Sequence, residues 1–197
     1  MKAVIAGGTG FLGSALAESL RSDGHRVAIV TRHPRHPGEV PWSDVSAFDG
    51  ADVVINLAGV PLDARRWTDQ QKASILHSRV QATEAVVKAM SEAARRPTVF
   101  LNSSAVGVYG AHGPEALTEE SPPGSDFLAS VCVEWEAAAM KAAWLTRWRA
   151  PDASRANTSA SSSASKNCSY GHFSLRARSA VCSNRSNTRG TFSLPSR

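Results

Sequence analysis

Cysteine is scarce in this chain of 197 residues: only Cys132, Cys168 and Cys182 occur, and none lies in the CxxC or Cys/His spacing of a zinc site. An odd number leaves at least one thiol unpaired, so a disulfide framework is excluded, no metal centre is expected, and a reducing, cytoplasmic compartment is favoured. Long apolar runs are also missing. Nothing approaches the roughly 18 consecutive apolar residues of a membrane span, so no membrane partner is expected. The opening MKAVIAGGTGFLGSALAESL sets a lysine before an apolar stretch, but four glycines interrupt it without a convincing cleavage site, and no signal peptide is expected.

Acidic residues nearly vanish at one end. Residues 144–197 hold nine basic side chains and one acid, Asp152 (net +8), whereas residues 1–143 hold 13 basic and 16 acidic (net −3), so the overall +5 averages two unlike segments. The last 54 residues also contain 13 serines, include the low-complexity stretch Thr158 to Ser165, and sustain no strand or helix period. The expected division is therefore a domain over 1–143 and a Ser/Arg-rich tail over 144–197. The tail is expected to be disordered or the product of a shifted reading frame or truncated gene. The alternative is a native basic tail that attracts nucleic acid or anionic lipid nonspecifically. It has no RNP-like aromatic pattern, so specific nucleic-acid binding is not expected.

What residues 1–143 do contain is alternation. Val4-Ile5-Ala6 stops at glycines and predicts a strand, and apolar residues then recur at helical spacing from Phe11 to Leu20 before Asp23-Gly24. Val27 to Val30 and Asp52 to Leu57 are apolar on both faces, which suits buried parallel strands. Between Asp69 and Arg95, Ile75, Val80, Thr83, Val86, Val87, Met90 and Ala94 follow a 3.6 period, and Pro97 ends it. Thr98 to Asn102 predicts a fourth strand, Gly107 to Gly124 a long surface loop, and Phe127 to Ala143 another helix. The fold class implied is α/β, a Rossmann-like doubly wound parallel sheet, incomplete here, whose ligands sit outside the carboxyl ends of the strands.

Each strand end then has its own chemistry. After the first come Gly7, Gly8, Thr9, Gly10, Phe11, Leu12 and Gly13, a G-x-x-G-x-x-G spacing opening into a helix. Glycines let backbone approach a pyrophosphate closely, and the helix N-terminus stabilises its charge, so this loop reads as a dinucleotide site. After the second come Thr31 and Arg32, where an acid would meet a free ribose 2′-hydroxyl; with Arg35 close behind, Arg32 favours the 2′-phosphate of NADP, with NAD as the alternative. After the third, Asn56, Leu57, Ala58 and Gly59 are small and polar where the cofactor passes. After the fourth, Ser103 and Ser104 suit either a substrate oxygen or a turn cap, and Tyr109 either a substitute acid or a packed ring.

Together GGTGFLG, the TR after the second strand, NLAG, the RRW of Arg65 to Trp67, the SR of Ser78-Arg79, SSAVGVYG, SPPG and DFLASVCVEWEAAAM resemble extended short-chain dehydrogenase/reductases. The resemblance is to the NAD-dependent epimerase/dehydratase group, and within it to the atypical 39U-like epimerases, over the N-terminal Rossmann part alone. It implies NADP-linked epimerase or oxidoreductase chemistry on a sugar-nucleotide-like or small carbonyl substrate. It also implies a Ser acting with a Tyr and a Lys spaced Y-x-x-x-K, the Lys lowering the Tyr pKa. Ser104 matches the serine, but Leu128 falls at the tyrosine position and Cys132 at the lysine position. A non-catalytic dinucleotide-binding or regulatory protein is therefore the competing reading. Arg66 and Trp67, in the loop after Gly59, suit either a ligand's phosphate and ring or an anchor for the helix beginning near Asp69.

Overall fold

The computed structural model describes residues 1–114 and 116–143; the tail expected from residue 144 lies outside the described residues. Five strands, β1 (Lys2–Ala6), β2 (Arg26–Thr31), β3 (Glu39–Pro41), β4 (Val53–Asn56) and β5 (Val99–Asn102), form one sheet in the order β3-β2-β1-β4-β5. Every pairing is parallel. Helices α1 (Phe11–Ser22), α2 (Asp69–Glu92) and α3 (Phe127–Met140) connect and cover them. The order is the Rossmann one. The chain leaves β1 toward β2 and later returns to β1's other side as β4, which opens a crevice at the carboxyl ends between β1 and β4.

Strand alternation sorts the core into two layers. Ile5 lies in register with Ile29 on β2 and Ile55 on β4, and this row, with Ala17, Leu16 and Leu20, makes the layer beneath α1. The opposite face sets Val4, Val54 and Phe100 in register and packs them with Val86, Val87 and Met90 of α2 and Ala139 of α3. With helices on both faces, every central strand is apolar on both sides.

Several boundaries differ from the sequence reading. Strand β3, three residues long, and the 3-10 turn Val45–Phe48 have no periodic signal, yet Phe48 is 1% exposed and joins the larger core. Asp44 accepts a hydrogen bond from Ser46 N–H and starts that turn. Helix α2 begins where Thr68 accepts from Gln71 N–H and stops at Glu92, so Ala93 takes the buried place expected of Ala94, which is exposed. Helix α3 ends at Met140, not Ala143. The expected surface loop starts with a packed 3-10 turn, Val106–Tyr109, whose Val108 is buried. Among the described residues β5 pairs with β4 alone. No helix among the described residues is long and apolar enough to cross a membrane.

Candidate dinucleotide site

The crevice is built by backbone that tolerates no side chains. Gly7 adopts φ +79°, and a Cβ there would stand 2.7 Å from the Leu57 carbonyl carbon, so the loop after β1 touches the loop after β4. At Gly13, inside α1, a Cβ would come within 2.6 Å of the Gly8 Cα. Gly10 N–H donates to Gly7 O at 3.1 Å and closes the turn, and Ser14 N–H donates to Gly10 O at 2.8 Å and opens α1. Gly10 brings no side chain to cap the helix, and no acid occupies its first turn. The first-turn N–H groups of a helix have no intrahelical acceptor, so those of Phe11, Leu12 and Gly13 suit phosphate oxygens. Phe11 is 92% exposed and Leu12 53%, while Thr9 sits exposed on the loop. No described His, Cys, Asp and Glu cluster has the makings of a metal site.

Beyond β2, Thr31 is half-buried and Arg32 exposed, and Arg32 makes no ion pair among the described residues. The connection that carries it is shaped from within. Glu39 accepts from Arg35 N–H at 2.7 Å and from His36 N–H at 3.2 Å. The bond from Arg35 above all holds the Glu39 carboxyl below its ordinary range, against desolvation and with help from the His36 N–H. It therefore keeps its charge and folds the loop that presents Arg32.

Beyond β4 the candidate residues divide. Leu57 and Ala58 are half-buried against the Gly7 turn and Gly59 is exposed. Asn56, by contrast, is wholly buried: its amide donates to Thr83 Oγ1 at 2.9 Å and Asn102 Oδ1 at 2.7 Å, and its oxygen accepts from Ala58 N–H. Asn56 therefore shapes the pocket floor from behind. Ser103 similarly ties β5 to β4, its N–H and hydroxyl both donating to Asn56 O at 3.0 Å.

The SR pair also has a visible task. Ser78 Oγ accepts from Val60 N–H at 3.1 Å and Arg79 Nη1 donates to Val60 O at 3.2 Å, so two neighbours on α2 grip one residue just past Gly59. The Arg79 guanidinium lies 5.3 Å from the Trp135 ring centre on α3. Burial lowers its pKa from the ordinary value, with Cys132 opposing, but an arginine stays cationic.

Beyond β5, Ser104 donates its hydroxyl to Glu136 Oε1 at 2.5 Å. Residues 128, 132 and 136 are four apart and share one face of α3. Leu128 lies under Gly107, and Cys132 is 4% exposed. Burial, reinforced by Glu136, pushes the Cys132 thiol up, against the pull of Arg79 and the Ala105 N–H. Tyr109 ends the 3-10 turn with its ring edge-on to His112, the centroids 6.3 Å apart. Glu136 as the partner of Ser104 is the feature that sequence reading missed; its i+8 spacing from Leu128 was the available signal.

Trp67 donates Nε1–H to Leu62 O at 2.8 Å and meets Phe127 edge-on at 5.7 Å, so the loop holding it rests on the start of α3. Arg65 and Arg66 instead line a hollow of about 640 Å³ with Val60, Pro61 and the first turns of α2.

The family described as the NAD dependent epimerase/dehydratase family matches residues 3–148. The chain is 37% identical over 159 residues to the chloroplastic epimerase family protein SDR39U1 homolog of Arabidopsis thaliana, covering 72% of this chain and 45% of that one. Human epimerase family protein SDR39U1 (isoform 2), solved with NADPH, is 33% identical with a TM-score of 0.65, over 71% of this chain and 48% of that one. The nucleoside-diphosphate sugar epimerase of Corynebacterium glutamicum is 37% identical with a TM-score of 0.60, over 72% and 30%. This chain spans about half the length of the curated relatives it matches.

Proposed function

This chain belongs to the NAD dependent epimerase/dehydratase family, and from that membership we propose that it binds NADP in the crevice between β1 and β4. The wider reading is epimerase or oxidoreductase chemistry on a sugar-nucleotide-like or small carbonyl substrate. One observation carries the binding: at Gly7, Gly8 and Gly13 an added Cβ would fall inside 3 Å of a neighbouring atom, beside an uncapped helix N-terminus. Gly7 to Gly13 would hold the pyrophosphate, Leu57, Ala58 and Gly59 would line the crevice, and Thr31 and Arg32 would meet the ribose. Bound there, the cofactor supplies a hydride acceptor or donor.

The preference for NADP over NAD rests on Arg32, whose exposed guanidinium is free of ion pairs among the described residues, and on the NADPH of the human relative. The substrate class rests on the name of the Corynebacterium relative, with Arg65 and Arg66 offering cations for its phosphates. We assign a small-molecule partner in the cytoplasm, not nucleic acid or membrane. The second reading, a dinucleotide-binding protein without catalysis, is favoured by Leu128 and Cys132, neither of which supplies the chemistry of a tyrosine–lysine pair.

Titration of the full chain with NADPH and NADH tests the assignment. NADPH should bind more tightly, and Arg32→Ala should erase about tenfold or more of the difference, the value of one charge-assisted hydrogen bond. Equal affinities in the unmutated chain would remove the 2′-phosphate argument.

A further inference from the structure

We propose that Ser104 and Glu136 form the proton-handling centre of this site, in place of the tyrosine and lysine its family resemblance implies. The inference rests on the dinucleotide reading and adds to it the group that moves the proton. Three residues of α3 face the loop beyond β5. Leu128 has no proton to transfer. Cys132 is buried with its thiol pushed up, so it keeps its proton. Glu136 alone on this stripe has a carboxylate, and the fold brings it, from 32 residues away, to the Ser104 hydroxyl at 2.5 Å.

The position is the right one for the work. Ser104 lies two residues past the end of β5, on the edge of the sheet where ligands of this fold gather. A hydroxyl that donates to a carboxylate is left with lone pairs that accept a substrate O–H. When a substrate carbinol is oxidised, its O–H proton passes to Ser104 Oγ as the Ser104 proton passes to Glu136 Oε1, and the C–H bond breaks to deliver hydride to an oxidised nicotinamide dinucleotide. The products are a carbonyl, a reduced dinucleotide and a neutral Glu136 carboxyl, and the reverse direction returns the proton along the same two oxygens. Ser104 is the catalytic residue in this scheme, and Glu136 acts through it. Cys132 stands one turn before Glu136, and the charged groups that act on it are Glu136 itself, Arg79 from α2 and Asp126, the residue that caps α3. Arg79 places a cation beside the position where the resemblance implies lysine.

The test uses the full chain and three variants, Ser104→Ala, Glu136→Gln and Glu136→Asp. Glutamine keeps an acceptor oxygen for Ser104 but is no base, so a merely structural role would survive in Glu136→Gln. NADP titration and melting temperature should be unchanged in that variant. Oxidation of 2-propanol by NADP should rise with pH to a plateau in the unmutated chain, fall about 100-fold or more in Glu136→Gln and lose its pH dependence, and partly return in Glu136→Asp. Independently of cofactor, proton NMR should show a downfield hydroxyl resonance in the unmutated chain that is absent from both Ser104→Ala and Glu136→Gln. Turnover by Glu136→Gln at the unmutated rate, or no turnover by a chain that binds NADP, overturns the proposal. A chain that binds no NADP overturns the dinucleotide reading instead, and the hydroxyl resonance then decides the pair: present, it upholds the charge-assisted bond; absent, it overturns it.

Discussion

Gly13→Val is expected to abolish NADPH binding and to lower the melting temperature of the full chain. The position lies inside α1, where an unbranched Cβ would already stand 2.6 Å from the Gly8 Cα. Valine adds two further carbons in a rotamer that a helix restricts. The contact is backbone, so no side chain can swing aside, and relief requires α1 to move away from the Gly7 turn. That movement displaces the first-turn N–H groups from any phosphate, and it separates Ala17 from the Ile5, Ile29 and Ile55 row against which α1 packs. Binding and stability should therefore fall together. Circular dichroism melting and fluorescence titration with NADPH measure the two effects, and a folded Gly13→Val chain with unchanged NADPH affinity would show that this loop does not hold the cofactor. Gly24 is the control. It has open space around a Cβ, so the strain of Gly24→Ala comes from its φ of +76° alone and should cost stability without touching affinity.

How much of this was legible before folding depends on whether a feature is local. The β1–α1 loop was legible because its glycines, the strand before them and the helix after them are contiguous, and each has its own periodic or steric signal. That the central strands are buried in a parallel sheet followed from apolar residues on both faces. Strand β3 was not legible: Glu39–Pro41 lies in a stretch rich in proline and histidine, and it becomes a strand only because β2 offers it partners, with Ile29 N–H donating to Gly38 O at 2.8 Å. The 3-10 turn hides Phe48 for the same reason, since a four-residue element has no period.

The site divides along the same line. Arg32 and the glycines reveal their use through what they could touch in a ligand. Glu136 reveals its use only through what it touches in the protein. From the sequence it is one more acid on a helix, and pairing it with Ser104 requires α3 to lie across the end of β5. Asn56 is the converse case. Its place after a strand suggested a cofactor contact, whereas the fold turns its side chain inward, to Thr83 and Asn102.

That inward cluster gives the second large expectation: Thr83→Val should destabilise the chain by about 2 to 6 kcal/mol, because it leaves two buried donors without acceptors, each costing about 1 to 3 kcal/mol. Thr83 is wholly buried on α2, and its hydroxyl oxygen accepts from Asn56 on β4 at 2.9 Å and from Trp135 Nε1–H on α3 at 2.9 Å while donating to Arg79 O. Asn102 on β5 completes the cluster through Asn56. Three elements thus meet at one oxygen, and β5 joins them through Asn56. Among the described residues no buried side-chain nitrogen or oxygen lacks a partner, so the network is fully satisfied and has no slack to absorb a loss. Valine keeps the shape and removes only the hydroxyl, which separates hydrogen bonding from packing. The melting temperature should drop on the order of 10 °C, and the Trp135 indole N–H resonance should shift and exchange faster with solvent. Thr83→Ser, which keeps the oxygen, should lose much less. Because Asn56 and Asn102 close the ends of β4 and β5, and Ser103 and Ser104 follow Asn102 directly, NADPH affinity should weaken in Thr83→Val as the crevice floor loosens. A Thr83→Val chain that melts with the unmutated one would mean that this cluster is tolerated by the core and does not hold it together.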